Sequence, residues 1–403
     1  MPACASTVEK NFEHCETVVK NWASSALHQG INKDKHTLQD LLFFLHVPRT
    51  GGRSYYHCFL KKLYPSSQEC PRSYDKLRFD PRKEKCRLLA THDDYSMMEK
   101  LPKERTSVVT IVRNPVDRVF SSYEFSVEVA ARFLVHPDLA SATKMSKRLR
   151  AKKAGVSTLD IWPWKYLVPW MRADLFAREF IDDPIVHDIV HNGATFQIAG
   201  LTNNSYLDES HEIRHCVREY KSLGQHVLRV AKMRLDAMLY VGLTAEHKES
   251  ATMFANVVGS QVISQLRDAN FSTGTLADNQ SGLCNSSSLH LDSELESNNN
   301  STLDEKALQD EDEAKRKNMT VTELIEVYEG CISSLLKTQS RRRFASLKRI
   351  SPANFSKEAR RHVSDAVLQE IRTLNYLDVD LFKMVQKANL TEREPSSYGE
   401  FLC

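Results

Sequence analysis

Four short apolar runs are spaced along the chain, and each one ends in a polar or glycine-containing turn. They occupy residues 41–47, 86–91, 107–112 and 238–243. Apolar runs of this length, bounded by turn residues, are typical of strands that are buried on both faces of a parallel sheet. The stretches between them repeat apolar residues at helical spacing. The pattern therefore predicts an α/β fold with a central parallel sheet flanked by helices.

Helices are predicted between and beyond these runs. Residues 212–239 read as one long amphipathic helix, and we expect Thr244 to cap the helix that follows. The N-terminal segment shows only a short helical pattern, around residues 18–22. Near the C-terminus, residues 321–336 and 359–388 are predicted to be helical, the second stretch in two pieces.

A change in composition divides the chain. Residues 269–317 are rich in Asn, Ser, Asp and Glu and poor in aromatic residues, so they cannot bury enough apolar surface to order themselves. We therefore predict a disordered linker there. The expected organisation is an N-terminal segment at 1–40, a main domain at 41–268, the linker at 269–317, C-terminal helices packing on the main domain at 318–390, and a tail at 391–403.

The turn after the first apolar run carries the strongest candidate chemistry. The predicted strand breaks at Pro48, the chain turns through Gly51 and Gly52, and a helical pattern begins at Ser54. Adjacent glycines let the backbone approach an anion closely, and a helix start adds free N–H groups and a positive dipole end. Four donors surround the turn: Arg49, Thr50, Arg53 and Ser54. This arrangement predicts a phosphate-binding loop, although it lacks the G-x-x-x-x-G-K-[ST] pattern of ATP- and GTP-binding loops.

The second run ends at His92, which is followed by Asp93. Ligands of open α/β sheets bind at the carboxyl ends of the strands. His92 therefore stands where chemistry is expected, in the same sheet as the phosphate loop. A histidine after a strand can equally be structural, and the residues alone leave both readings open.

The third run ends at Arg113. Asn114 is a good helix cap, and Pro115 suits the first helical position. Ser121 follows Arg113 by eight residues on the predicted helix. Folding this helix back on the strand can bring both side chains to one phosphate. The alternative is a solvent-facing arginine and an ordinary helical serine.

Two further clusters have a structural and a functional reading. The aromatic residues of 160–170 can form a wall for a flat ring such as adenine or a phenol, or they can simply pack in the core. Cations are concentrated at residues 144–153 and 341–343. Such charge runs are usually solvated surface, and an acidic partner is the alternative.

Charge and cysteine content narrow the class of protein. The net charge of +3 over 403 residues is too small to indicate a nucleic-acid binder. Nine cysteines leave at least one unpaired or bridging two chains. Cys70 and Cys86 can close a short loop as a disulfide in an oxidising lumen, or they can remain two free thiols.

The glycosylation sequons and the hydropathy of the chain are informative about the cellular compartment of the protein. Nine Asn-x-Ser/Thr sequons are compatible with a secretory-pathway lumen: Asn203, Asn270, Asn279, Asn285, Asn299, Asn300, Asn318, Asn354 and Asn389. The first twenty residues hold no apolar core of signal-peptide length. No stretch approaches the roughly 18 apolar residues of a membrane span, so we expect no membrane anchor in this chain.

The phosphate loop, the His92 strand end and the Arg113–Ser121 pair together resemble the PAPS-dependent sulfotransferases, where PAPS is 3′-phosphoadenylyl sulfate. The loop corresponds to the family's 5′-phosphosulfate loop, and an Arg followed eight residues later by Ser holds the 3′-phosphate. The resemblance implies a P-loop-like sulfotransferase fold. The implied donor site is Arg49, Thr50, Gly51, Gly52, Arg53, Ser54, Arg113 and Ser121.

A closer resemblance extends over residues 12–387, to the plant tyrosylprotein sulfotransferases. It is carried by FFLHVPRTGG, LLATHDDYS, STLDIWPWKYLVPW and NGATFQIAGLTNNS. It implies metal-free transfer of a sulfuryl group from PAPS to the tyrosine hydroxyl of acidic secreted peptides or proteins, in the Golgi lumen. His92 is then the candidate general base, with Asp93 and Glu124 next, and Arg49 stabilises the leaving phosphate.

Three features depart from that family. Arg49 stands where relatives often have Lys, and an arginine stays charged and is a poor proton donor. The family's N-terminal signal and C-terminal membrane anchor are not seen in this chain. The stretch 176–187 looks shorter than the corresponding stretch in the family. A PAPS-binding variant with impaired catalysis is therefore one alternative. A glycan O-sulfotransferase is the other, because the surroundings of His92 also resemble the heparan sulfate 6-O-sulfotransferases.

Overall fold

A computed structural model describes residues 3–28, 35–71, 86–135, 180–181, 187–273, 319–347 and 363–391 of the chain. None of the helices in these ranges combines the length and the apolar character that a bilayer-spanning segment requires. The aromatic cluster at 160–170 and the cation cluster at 144–153 lie outside these ranges. So does most of the short segment at 176–187.

The described residues form one four-stranded parallel sheet. Its strands are β1 (Leu41–Leu45), β2 (Leu88–Thr91), β3 (Thr106–Val112) and β4 (Tyr240–Leu243). Their spatial order is β2-β1-β3-β4, and every neighbouring pair is parallel. The predicted α/β class is confirmed, and each strand begins and ends within two residues of its predicted limits.

The strand order places all four carboxyl ends along one edge of the sheet. Leu45 of β1 pairs with Thr91 of β2 and with Thr110 of β3, so the loops that follow β1 and β2 are neighbours. β2 lies on one side of β1, and β3 lies on the other side. Such a reversal opens a crevice at the strand ends, where ligands of α/β sheets bind.

The sheet is buried on both faces, which explains the unbroken apolar runs. Leu41, Phe43 and Leu45 point into one core, whereas Leu42 and Phe44 point into the other, as the two-residue period of a strand requires. On the first face pack the helices Ala3–His28, Gly193–Ile198, Ser210–Glu219, Gly224–Asp236 and Tyr376–Thr391.

The second face is covered by helices that contain two π-helical turns. The helix after the β1 loop runs as Gly52–Tyr55, a π-helical turn at Tyr56–Leu60, and Lys61–Leu63. The others are His247–Phe254, the π-helical turn Ala255–Gly259, Ser260–Thr273 and Val321–Leu347. Helices Pro115–Val135, His187–Val190 and Asp365–Leu374 complete the fold, with short 3₁₀ turns at Ser66–Gln68, Tyr95–Glu99, Lys103–Arg105 and Lys221–Leu223.

Three helix predictions were wrong in extent, and one of them is the helix predicted at 321–336, which runs on to Leu347. The N-terminal helix has 26 residues, Ala3–His28, because its apolar stripe docks on the core through residues such as Val19 and Trp22. The single helix predicted at 212–239 is two helices separated by the turn Lys221–Leu223. Tyr376 donates a hydrogen bond to the Lys221 carbonyl (2.9 Å), so a contact from the distant C-terminus stabilises the break.

The C-terminal helices pack on the main domain. Leu324 and Tyr328 lie in the core of the second face, and Leu377 and Leu381 lie in the core of the first. Of the predicted linker, residues 269–273 belong to the helix Ser260–Thr273, and the remainder lies outside the described residues.

The described residues contain three disulfides, two of which join distant parts of the chain. Cys15–Cys216 links the N-terminal helix to Ser210–Glu219, and Cys58–Cys331 links the helix after the β1 loop to Val321–Leu347. Cys70–Cys86 closes a short loop, which is the first of the two alternatives that the sequence left open. A disulfide typically stabilises a fold by about 2–4 kcal/mol, mainly by restricting the unfolded chain.

A buried polar network, which we call the Arg118 network, fixes the helix that carries Ser121. Arg118 forms an ion pair with Asp378 at 2.6 Å, and both side chains are almost fully buried. Asp378 also accepts hydrogen bonds from the Thr195 amide and hydroxyl, both at 2.7 Å. Asn375 and Asn192 complete the network, since the Asn192 amide donates to Asn375 (3.1 Å) and the Leu377 amide donates to Asn192 (2.9 Å).

Candidate active site

The loop after β1 has the backbone of an anion cradle. Arg49 (φ 68°) and Gly51 (φ 86°) both adopt the left-handed conformation. For a residue with a side chain this conformation costs roughly 1–2 kcal/mol, so something must hold Arg49 there. Arg113 does so by donating to the Arg49 carbonyl at 3.0 Å. Backbone strain maintained in this way is frequent at ligand-binding sites.

The two glycines of the loop are required for different reasons. Gly51 supplies the positive φ, which residues with a Cβ rarely adopt. Gly52 makes room for a neighbour, because a Cβ at that position would lie only 2.5 Å from Nε2 of His46. The loop therefore brings bare backbone amides and a helix start to the sheet edge. This donor set fits a phosphate or phosphosulfate group.

Arg49, Arg113 and Ser121 meet at this edge although they are distant in sequence. The Arg49 guanidinium donates two hydrogen bonds to the Ser121 hydroxyl, from Nε at 3.2 Å and from a terminal nitrogen at 3.0 Å. It also lies over the Phe125 ring, with Cζ 4.4 Å from the ring centroid. Phe125 is 38% exposed, which is unusual for a large apolar side chain. The structure thus joins the predicted phosphosulfate loop and the predicted 3′-phosphate pair into one cationic cluster.

The other predicted loop donors are arranged differently. The Thr50 side chain is buried, and its hydroxyl donates to the Val47 carbonyl at 2.8 Å, so it stabilises the turn from inside. Arg53 is exposed and Ser54 is half-buried. The Ser54 amide donates to the Gly51 carbonyl at 3.0 Å, closing the turn. Of these three, Arg53 is the side chain that faces solvent at the mouth of the loop.

Thr244 has a different role from the predicted helix cap. Its hydroxyl donates to the Thr50 carbonyl and to the Val112 carbonyl, the latter at 3.2 Å. The helix that follows begins at His247 instead. Thr244 therefore fastens the anion loop to the ends of β3 and β4, because its position after β4 places it directly beneath the loop.

His92 follows β2 and lies at the same edge. Its ring centroid is 4.3 Å from that of His46, which follows β1 in the neighbouring strand. His92 is exposed, yet the protein on one side still removes part of its hydration. This partial desolvation, followed by the charge of Arg49, lowers the pKa of His92 from its usual value. A neutral imidazole can accept a proton at pH 7, so His92 has the protonation state that a general base needs.

The carboxylates proposed as second candidates are buried. Asp93 is 1% exposed, and its Oδ2 accepts a hydrogen bond from the Thr91 hydroxyl at 2.9 Å. Glu124 is likewise buried, on the helix that carries Ser121. An acceptor hydroxyl arriving from solvent reaches the exposed ring of His92 before either carboxylate. His92 therefore remains the better candidate for the base.

Comparison with known proteins agrees with this geometry. A family model described as a sulfotransferase domain matches residues 4–172. A protein-tyrosine sulfotransferase from Arabidopsis thaliana is 58% identical over 420 residues, covering 96% of this chain and 83% of the relative. The chain belongs to the protein-tyrosine sulfotransferase family. The predicted family, fold class and enzyme class are confirmed.

One side chain of this sulfotransferase positions both histidines and was not singled out from the sequence. Nε2 of Gln197 donates to the carbonyls of His46 (3.2 Å), His92 (2.9 Å) and Asp93 (3.2 Å). Gln197 is almost fully buried, in the helix Gly193–Ile198. It joins the carboxyl ends of β1 and β2 and so fixes the spacing of the anion loop and His92. No spacing rule marks such a residue, because its partners are backbone atoms more than 100 positions away.

The groups at the sheet edge indicate what this sulfotransferase can do chemically. Among the described residues, no three His, Cys, Asp or Glu side chains gather in a group that could hold a metal ion. The edge offers two arginines, backbone amides and a neutral imidazole. Such groups can bind an anionic donor, stabilise charge on a leaving oxygen and accept a proton.

Proposed function

We propose that the chain transfers a sulfuryl group from PAPS to the phenolic hydroxyl of tyrosine in acidic, secreted proteins or peptides. The observation that carries the proposal is the joining of a glycine-turn anion loop, the Arg49–Ser121–Arg113 cluster and a neutral His92 at one sheet edge. Substrates that are proteins or peptides agree with the family. The PAPS donor and the acidic, secreted character of the acceptor are part of the proposal.

The donor is held through its two anionic ends. The Gly51 and Gly52 amides with Arg49 would receive the 5′-phosphosulfate, and Arg113 with Ser121 would receive the 3′-phosphate. In the structure Arg49 contacts Ser121 directly. The donor would therefore enter a site whose cations are already oriented. Preorganised charge of this kind needs little rearrangement when the reaction begins.

The transfer needs a base on the acceptor side. A free tyrosine has a pKa of about 10, so the phenol is protonated at neutral pH. His92 accepts the phenolic proton while the phenolic oxygen attacks sulfur. The bond from sulfur to the phosphate oxygen breaks, and that oxygen leaves with the electron pair. Arg49 and the loop amides stabilise the new charge on the phosphate.

An acidic acceptor suits the mouth of the site. Arg53 is exposed beside the loop. Positive side chains around a site attract acidic peptides and speed their association. This charge favours a tyrosine flanked by Asp or Glu.

Transfer of labelled sulfate from PAPS to three matched acceptors tests the proposal. We expect label on an acidic tyrosine peptide, none on the same peptide with Phe in place of Tyr, and little on a sulfated glycan. Label on the glycan alone would establish the glycan O-sulfotransferase instead. Tight binding of the desulfonated donor with no transfer to any acceptor would identify the impaired variant.

We propose the Golgi lumen as the location. The three disulfides support it because structural disulfides persist in oxidising compartments. The sequons support it as well. Protein recovered from a secretory pathway into which it has been directed should lose mass when an endoglycosidase removes N-linked glycans. An unchanged mass, with the disulfides found reduced, would contradict a lumenal origin.

A further inference from the structure

His46 is a second imidazole in the active site, and the reaction described above gives it no part. It follows β1 directly, and its amide continues the ladder to Thr91 at 3.0 Å. Its ring is stacked on Phe44 at 10° between the planes and lies 4.3 Å from the ring of His92. On its other side it touches the backbone of Gly52, where a Cβ would collide with it. His46 therefore separates the anion loop from His92.

This position has a direct chemical meaning. The donor phosphate belongs at the Gly51–Gly52 turn, and the acceptor oxygen belongs beside His92. The sulfuryl group moves from the first point to the second during transfer. The His46 ring contacts His92 and turns its Cδ2–Nε2 edge toward Gly52, so it lies beside the path of the group in transit.

His46 is expected to stay neutral throughout. Burial lowers the pKa of His46 well below its usual value, and electrostatic interaction with His92 and Arg49 lowers it further. A neutral imidazole carries one N–H, which it can donate to an anionic oxygen without adding or losing a proton. A neutral histidine beside a helix start that donates a hydrogen bond to its substrate is an established catalytic device.

We propose that His46 is a catalytic residue that donates a hydrogen bond to an oxygen of the sulfuryl group during its transfer. This inference rests on the proposed function. No bond to His46 forms or breaks, and the phenolic proton still goes to His92. Gln197 supports the arrangement, because it binds the backbone carbonyls of both histidines and so holds the two rings at a constant separation.

Two substitutions separate this role from packing. His46→Phe keeps a flat ring against Phe44 and Gly52 but removes the N–H donor. His46→Gln keeps a neutral N–H donor in a side chain of similar length. His226→Phe, on the helix Gly224–Asp236 away from the sheet edge, is the matched control. Thermal melts of all three variants establish that each one is folded.

We expect His46→Phe to lower kcat about 10²-fold, the usual effect of losing one such donor. His46→Gln should recover about a tenfold part of this loss, and His226→Phe should match the wild type. The acid limb of the pH–rate profile should keep its position in His46→Phe, because His92 is unchanged. Calorimetric affinity for adenosine 3′,5′-bisphosphate, which lacks the sulfuryl group, should stay within about threefold of wild type.

Binding of PAPS itself, without an acceptor, gives a readout that does not depend on turnover. His46→Phe should lose whatever preference the wild type shows for PAPS over adenosine 3′,5′-bisphosphate. A wild-type kcat in His46→Phe would show that His46 serves only packing. Loss of the acid limb in this variant would show that His46 is the general base. Equal losses of kcat and of bisphosphate affinity would show that His46 only supports the anion loop. If the wild type binds PAPS but sulfates no tyrosine, the proposed function fails, whereas the binding comparison still decides the role of His46.

Discussion

His92→Ala should lower turnover at pH 7 by about 10²–10⁴-fold, the usual contribution of a general base. His92 is the exposed imidazole at the sheet edge, and its neighbours keep it neutral. Donor affinity should stay close to wild type, because Arg49, Arg113, Ser121 and the loop amides remain. Steady-state kinetics and calorimetry with adenosine 3′,5′-bisphosphate measure the two effects separately.

The lowered pKa of His92 determines how turnover should change with pH. A lowered pKa means that His92 is neutral above that value and protonated below it. Wild-type turnover should therefore fall only when the pH drops through the lowered pKa of His92, which lies below the usual histidine value of about 6.5. His92→Ala should lose this acid limb and regain part of its activity at high pH, since hydroxide then produces phenolate. Wild-type turnover by His92→Ala at neutral pH would transfer the role of base to Glu124 or Asp93.

Arg113→Ala is the matched contrast, because it alters the donor site and leaves the base in place. It removes a charged side chain predicted to bind the 3′-phosphate, and it removes the hydrogen bond that holds the Arg49 carbonyl. A hydrogen bond to a charged group contributes about 1.5–3 kcal/mol, so donor affinity should fall roughly 10- to 150-fold. Equal donor affinity in Arg113→Ala and the wild type would contradict the assignment of Arg113.

The sequence could predict those parts of the site that depend on local pattern. Each strand is an unbroken apolar run because the sheet is buried on both faces, and Gly51–Gly52 mark a turn wherever they occur. The predicted cap at Asn114 is confirmed by its Oδ1, which accepts from the Val116 amide at 3.0 Å. His92 and Arg113 could be placed at one edge because parallel strands end together.

The parts that the sequence could not predict depend on contacts between distant residues. Gln197, Thr244 and Tyr376 all act on backbone carbonyls far away in the chain, so no spacing identifies them. His46 gave a weak local signal, as the polar residue inside the apolar run at 41–47. Its meaning depends on Gly52 and His92 enclosing the ring, which only the folded chain shows.

No local sequence pattern marks either Arg118 or Asp378 as part of a network. The Arg118 network nevertheless affects the donor site. Arg118 occupies the helix Pro115–Val135, three residues before Ser121, and its partner Asp378 belongs to Tyr376–Thr391. The C-terminal helix therefore fixes the helix that presents Ser121 to Arg49. A change in this network should affect folding first and donor binding second.

Asp378→Ala should destabilise the fold by about 3–5 kcal/mol, because it leaves the Arg118 charge buried without its counter-ion. It also removes the acceptor of the Thr195 amide and hydroxyl. Asp380→Ala is the matched control. It removes a partly exposed carboxylate from the same helix. This carboxylate lies 3.9 Å from the Lys383 ammonium, and its removal should change the stability by no more than about 0.5 kcal/mol. Urea unfolding followed by circular dichroism compares the two variants.

A double variant separates the buried charge from the lost packing. Arg118→Met with Asp378→Leu replaces both ions by apolar side chains, and such replacements of buried pairs are often neutral or even stabilising. We expect the double variant to be more stable than Asp378→Ala alone. Donor affinity should recover with stability if the helix needs only a fixed position to present Ser121. A single Asp378→Ala variant as stable as Asp380→Ala would show that the ion pair does not hold the two helices together.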